Sequence, residues 1–181
     1  TFIVDQVNAL KRSGLIIEVF QFYGKRSIIN YIKDRLRLKK IINREKFDLV
    51  HAHFGQCGIV SKFIGVPLIT TFHGSDATGL INKKGKYSFS GKILKLISYL
   101  SYFLSDKSIF VSKSVKNNLN VNKNSLILPC GVNTINFKPL PMDYCKNKLD
   151  LGNFIYILFA GDTSSLVKNY KLALKSIEIL K

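Results

Sequence analysis

Residues 66–76 read Val-Pro-Leu-Ile-Thr-Thr-Phe-His-Gly-Ser-Asp. Val66–Phe72 is a clear strand, with Pro67 near its start, where proline is tolerated. It runs directly into a polar cluster, His73-Gly74-Ser75-Asp76. Phe47–His53 repeats the pattern upstream, a short apolar strand that ends in polar chemistry. Two further strands follow downstream, Ser108–Val111 and Ser125–Leu128. Helical patterns separate them. Gln56–Ile64 is a short helix closed by Gly65. Ser90–Leu104 places Ile93, Ile97, Leu100 and Leu104 on one face, and Lys113–Leu119 is a third helix. Strands alternating with helices imply βαβ units, so the fold class is α/β, a Rossmann-like parallel sheet with helices on both faces. Ligands of such sheets sit outside the carboxyl ends of the strands. The unusual polar residues gather there: His51 and His53, His73 to Asp76, Ser112, and Cys130-Gly131.

Toward the N-terminus, residues 1–13 form a helix with Ile3, Val7 and Leu10 on one face, stopped by Gly14. Leu15–Phe22 reads as a strand. Ser27–Lys46 is a long basic helix with Ile28, Ile32 and Leu36 in register. Toward the C-terminus, residues 137–152 contain Pro139 and Pro141 and several lysines, which suits a linker. Phe154–Ala160 is a fully apolar strand, followed by Gly161-Asp162-Thr163-Ser164-Ser165 and a helix from about Lys168. The expected organisation is a domain over residues 1–137, a linker over 138–152, and the first strand and helix of a second domain over 153–181. A lone strand and helix have nothing to bury their faces against. The second domain is therefore expected to be truncated, and the first to lack its opening strand.

Composition bounds the function. The chain has 181 residues, of which 46% are hydrophobic and 22% charged, so there is ample apolar surface to bury and long disorder is excluded. With 12 Gly, 4 Pro and 3 Cys, collagen-like and disulfide-scaffold classes are excluded too. Apolar stretches such as Leu96–Leu104 are far shorter than the roughly 20 residues of a membrane span. Cys57, Cys130 and Cys145 are scattered and odd in number, as expected of small hydrophobes in a reducing cytosol. The net charge of +17 calls for an anionic partner. One cluster comprises Lys25, Arg26, Lys33, Arg35, Arg37, Lys39, Lys40, Arg44 and Lys46. A second comprises Lys83, Lys84, Lys86, Lys92 and Lys95, with no acid among them. Such runs are solvated faces or docking surfaces for anionic lipid headgroups. No nucleic-acid motif or basic-aromatic interleaving is present.

Several residues can carry chemistry. His73 can hydrogen-bond a hydroxyl or phosphate, and Gly74 lets a backbone approach a ligand closely. The plainer alternative is a turn in which Asp76 caps the next segment. His51 and His53 alternate on a strand and point to one face. With His73 they could form a three-histidine metal site, although no acidic or Cys ligand accompanies them. Ser112 either caps a helix or contacts a phosphate or sugar at its start. Gly161 to Lys168 follows a strand and opens a helix, an arrangement suited to a diphosphate. Alternatively, Lys168 is a solvated lysine at a helix start. No Gly-x-Gly-x-x-Gly follows any strand, which disfavours a dinucleotide oxidoreductase.

In order and spacing the motifs resemble those of glycosyltransferase family 4. Thr1-Phe2-Ile3-Val4 with Gln6 and Leu10 looks like the opening helix of an exopolysaccharide-building subgroup. Asp48 to Gly55 (DLVHAHFG), Pro67 to Asp76 (PLITTFHGSD) and Ser105–Ser114 (SDKSIFVSKS) resemble successive strands and turns of the family. Leu128-Pro129-Cys130-Gly131-Val132-Asn133 through Phe137-Lys138-Pro139 resembles the segment leading to the second domain. Leu158 to Gly161 with Lys168-Asn169 resembles that domain's start.

The resemblance implies a retaining enzyme of two-domain GT-B architecture, cytoplasmic and peripheral to the inner face of the cell membrane. Its activity would serve cell-surface polysaccharide assembly, moving a sugar from a nucleotide-sugar to a glycan or lipid-linked acceptor with no cofactor and no metal. His73 would contact the donor sugar or stabilise charge, and Lys168 would neutralise the leaving diphosphate. Gly74, Asp76, Ser112 and Gly131 complete the implied substrate-binding set. Cys130 stands where the family usually has Asn, and Asp162 where many members have Arg. The family's paired glutamates would follow Lys181 and its Gly-rich loop would precede Thr1, so the chain alone is expected to be inactive. Two other functions fit the same residues: a non-catalytic sugar- or nucleotide-binding module, and a metal-dependent hydrolase built on His51, His53 and His73.

Overall fold

The structure, a computed structural model, describes residues 2–24, 27–80, 82, 86–122 and 125–180. Lys25, Arg26, Lys83 and Lys84 of the basic clusters lie outside the described residues. The chain divides into two compact units. One is Gln6–Cys130; the other is Gly131–Lys181 together with Thr1–Asp5. The first helix, α1 (Phe2–Arg12), spans the division.

In the larger unit α2 (Ile28–Arg44) leads to β1 (Val50–His53), α3 (Gly55–Ser61), β2 (Leu68–Phe72), α4 (Gly74–Thr78), α5 (Phe89–Leu104), β3 (Lys107–Phe110), α6 (Lys113–Leu119) and β4 (Ser125–Ile127). The four strands form one all-parallel sheet in the order β1-β2-β3-β4. The expected α/β arrangement is present, a parallel sheet with helices around it. Register sets which side chains share a face. Ala52 pairs with Thr70, Thr70 with Ser108, and Phe72 with Phe110. That row is buried, with Leu68, Phe72 and Phe110 wholly inaccessible. The core continues from it through Ala77, Tyr102, Val115, Leu119 and Val121, and the rings of Phe72 and Phe110 stack at 5.0 Å.

The α3–α5 contact is made of small residues. A Cβ on Gly55 would lie 2.6 Å from the Ser98 Cα, and one on Gly58 would lie 2.6 Å from the Thr70 Oγ1. Gly55 meets the backbone of α5 at Ser98, and Gly58 meets the Ser101 hydroxyl. Hydroxyls complete the seam. Ser98 Oγ donates to the Asp76 carbonyl at 2.8 Å. Ser105 Oγ donates to the Ser101 carbonyl at 2.7 Å, so at its 2.6 Å contact with Thr70 it is the Thr70 hydroxyl that donates. At the opposite end of the sheet, Asp106 accepts from the Leu68 amide and the Lys62 ammonium. These bonds, the Leu68 amide foremost, hold its carboxyl below the usual range.

Two expected strands are absent. Leu15–Phe22 forms no ladder, and neither does Phe154–Ala160. Both have strand composition, but neither is paired with a described strand, and an unpaired strand has no hydrogen bonds to fix it. The proline-rich stretch after residue 137 contains a short helix, α7 (Met142–Lys148). The last helix, α8 (Tyr170–Ile179), begins two residues after Lys168, which precedes its left-handed N-cap Asn169 and so stands outside the helix.

Candidate active site at the carboxyl ends of the strands

β1 and β2 end side by side, and their register brings three imidazoles together. His53 pairs with Thr71, and Phe54 N donates to the Thr71 carbonyl. The His51 and His53 rings stack at 4.7 Å, and His53 stacks on His73 at 5.4 Å. His53 Nδ1 and His73 Nε2 stand 3.1 Å apart, and His51 Nε2 stands 2.7 Å from Thr71 Oγ1. In the His53–His73 bond one nitrogen carries the proton and the other accepts, so the bond requires a neutral ring. Burial is the main force that keeps these rings neutral. It pushes His51 and His73 down to about 4, with nearby imidazoles adding to the effect, and it lowers His53 as well.

His73 is 7% exposed and ends the strand as the N-cap of α4, without a side-chain cap bond. The next turn carries Asp76, which is 1% exposed. One carboxylate oxygen accepts from the Gly55 amide at 3.1 Å, while Oδ1 accepts no well-formed hydrogen bond. Desolvation raises its pKa to about 6, and the nearby amides of Gly55, Asp76, Ala77 and His73 only partly offset that. The alternative of a capping Asp76 takes a specific form here: the carboxylate accepts from the first amide of α3, the helix that follows the neighbouring strand. Cys57, in the first turn of α3, is a half-buried thiol pushed up to about 12, by desolvation first and then by Asp76 and Asp34.

Sequence reasoning missed Phe54. It sits at φ 72°, ψ 144° between β1 and α3, a region that side chains rarely adopt, and its ring lies 4.6 Å from His73. Only a glycine would have signalled such a backbone in advance. Thr71 and Gly55 were missed too, since their roles depend on strand register and helix contact.

The expected residues distribute as follows. His73, Gly74 and Asp76 are together at the end of β2 and the start of α4. Ser112 stands at the end of the adjacent strand β3, where its hydroxyl accepts from Val115 N and caps α6. Gly131 and Lys168 belong to the other unit. There Lys168 lies over the Gly161 loop, its Cγ 3.4 Å from where a Cβ on Gly161 would be. In the same loop Asp162 accepts from the amide and hydroxyl of Ser164. The imidazoles do not form a converging ligand set: they stack, and the facing nitrogens bond to each other. Among the described residues no group of three His, Cys, Asp or Glu is placed to hold a metal ion.

The desolvated imidazoles give stability a direction with pH. Each binds a proton more readily in the unfolded chain, near 6.5, than in the folded one. Their contribution is complete above about 6.5 and declines as the pH falls toward 4. Asp76 works the other way, since it is protonated more readily when folded, but it is one group against three. The urea midpoint is expected to be lower at about pH 5 than at about pH 7.5. An equal or higher midpoint at the lower pH would contradict the neutral cluster.

The family model for Glycosyltransferase Family 4 matches residues 4–135, a span that contains the whole parallel sheet and the histidine cluster at its carboxyl end. No curated protein matches the chain. A sequence that matches over most of its length, and that folds into the parallel sheet and strand-end site described above, belongs to glycosyltransferase family 4 and carries a domain that works on a sugar donor and an acceptor.

Proposed function

We propose that the protein containing this chain is a retaining glycosyltransferase of GT-B architecture that moves a sugar from a nucleotide-sugar to a glycan or lipid-linked acceptor in cell-surface polysaccharide assembly. His73 is the catalytic residue, contacting the transferred sugar or the charge that develops on it. The bond to His53 fixes its ring orientation and tautomer. Ser112 contacts the substrate at the neighbouring strand end. Gly131 and Lys168, in the other unit, are assigned to the nucleotide side. The ammonium of Lys168 would offset charge on the departing diphosphate, which grows as the glycosidic bond breaks. No cofactor enters this scheme, and the transfer takes place in the cytoplasm, at the inner face of the membrane.

The observation that carries the proposal is the mutually bonded His53–His73 pair, His73 buried and His53 half-buried, at the adjoining carboxyl ends of β1 and β2, where parallel sheets bind ligands. Gly74 supports it. A Cβ at Gly74 would meet nothing within 4 Å and its φ is not positive, so nothing in the fold demands glycine at this exposed position. Close approach of a substrate would demand it. Asp76 then acts through Gly55, anchoring the α3 start next to His73.

The test is a screen of nucleotide-sugars against glycan and lipid-linked acceptors, read as nucleoside diphosphate release and as product anomer. Release with one donor and retention in the product are expected. Tight donor binding with no release in any combination would favour the non-catalytic binding module.

A further inference from the structure

The amphipathicity of α5 is reversed. Its buried side is Gly91, Ser98, Ser101 and Tyr102. Its outward side carries Phe89, Ile93, Leu96, Leu100 and Phe103, which recur with the helical period and so form one stripe. All five are exposed, Phe89 by 79%, Leu96 by 57% and Phe103 by 62%. The packing explains why the stripe cannot turn inward. The inner side meets Gly55 and Gly58 of α3 with no room for even a methyl group, and Ser98 is bonded to the Asp76 carbonyl. A Phe or Leu in place of those serines would force the helices apart. The large side chains are outward because the α3–α5 seam admits only small ones.

We propose that this face of α5 docks on an anionic membrane surface, lying flat with the apolar stripe in the headgroup–acyl boundary. Charge selects that occupant. Between Asp76 and Asp106 the sequence has no acidic residue and five lysines, and Lys92 and Lys95 are on α5 itself. A second copy would bring another strongly cationic chain against the same lysines, whereas anionic headgroups complement them. The helix has 16 residues, about 24 Å of length. No described helix is long and apolar enough to cross a membrane, and docking in the plane requires no crossing. The inference rests on the transferase reading only for its purpose, bringing the site to a lipid-linked acceptor. Vesicle binding is measured without donor or acceptor, so the two can fail separately.

The experiment is flotation of the chain with vesicles of phosphatidylcholine alone or containing phosphatidylglycerol. Wild type is expected to float with the anionic vesicles and to be released by salt. The double variant Leu96→Ser, Phe103→Ser is expected to lose roughly tenfold or more in partition coefficient, with an unchanged melting temperature because both residues are exposed. The pair Lys92→Gln, Lys95→Gln is expected to weaken the preference for anionic lipid. Three results would overturn the proposal: wild-type partition by the apolar double variant, indifference of wild type to lipid charge, or a dimer in solution that the apolar variant abolishes. It is equally overturned if the loss of binding appears only with Ile32→Ser, Leu36→Ser on the outer side of α2.

Discussion

Gly55→Ala is expected to lower the stability of the larger unit by about 3 kcal/mol, seen as a melting temperature roughly 6–12 °C lower. The added methyl would sit 2.6 Å from the Ser98 Cα and 2.3 Å from its Oγ. A side chain alone could rotate away, but a Cα moves only if α5 moves. That shift also disturbs the Gly55 amide bond to Asp76 and the Ser98 bond to the Asp76 carbonyl, leaving buried polar atoms without partners. Helix propensity favours alanine by about 1 kcal/mol, which is too little to offset the clash. Thermal melts followed by circular dichroism decide it. A melting temperature equal to or above wild type would mean that α3 and α5 are not in backbone contact.

His73→Ala is expected to reduce kcat of the parent enzyme about 10²–10³-fold, the range for loss of one positioned polar group in a transition state. Gly74→Val is the companion variant. Its side chain points into open space, so the melting temperature should hold while turnover falls steeply. A structural role for His73 would lower the melting temperature and leave the activity of the remaining folded protein intact. A catalytic role would lower kcat at full fold. Gly74→Val with wild-type turnover would remove the support that its unforced glycine gives to the site.

The sheet was largely legible because Val50–His53, Leu68–Phe72, Lys107–Phe110 and Ser125–Ile127 lie in or overlap short stretches rich in apolar and β-branched residues that are bounded by polar ones. Leu15–Phe22 and Phe154–Ala160 have the same composition, yet composition says nothing about whether a ladder partner stands alongside. The short helix Gly74–Thr78 is not legible in the sequence, since Gly-Ser-Asp-Ala-Thr has no apolar period to detect. In α5 the positions in register, Ile93, Ile97, Leu100 and Leu104, are those that periodicity normally turns inward. Burial instead follows Gly91, Ser98 and Ser101, because close helix contact selects for size before hydropathy.

The site was half legible. His51, His53 and His73 stood out as polar residues at strand ends, and their meeting follows from the parallel register. The bond between His53 and His73, the cap that Asp76 supplies to α3, and the strained Phe54 backbone all arise from tertiary placement. A strand-end histidine cluster is consistent with either a metal site or a hydrogen-bonded pair until the rings are oriented. The facing nitrogens favour the pair.

The most direct test of a transfer site at this strand end is to follow the imidazole nitrogens of His51, His53 and His73 by NMR in the parent enzyme, before and after saturation with its nucleotide-sugar and acceptor. At neutral pH all three rings should be neutral. On saturation the resonances of His73 and His53 should move together, because one bond joins them, and those of His51, held by Thr71, should move least. Saturated enzyme in which the His73 and His53 resonances stay where they were would contradict the assignment and place the transfer elsewhere on the protein.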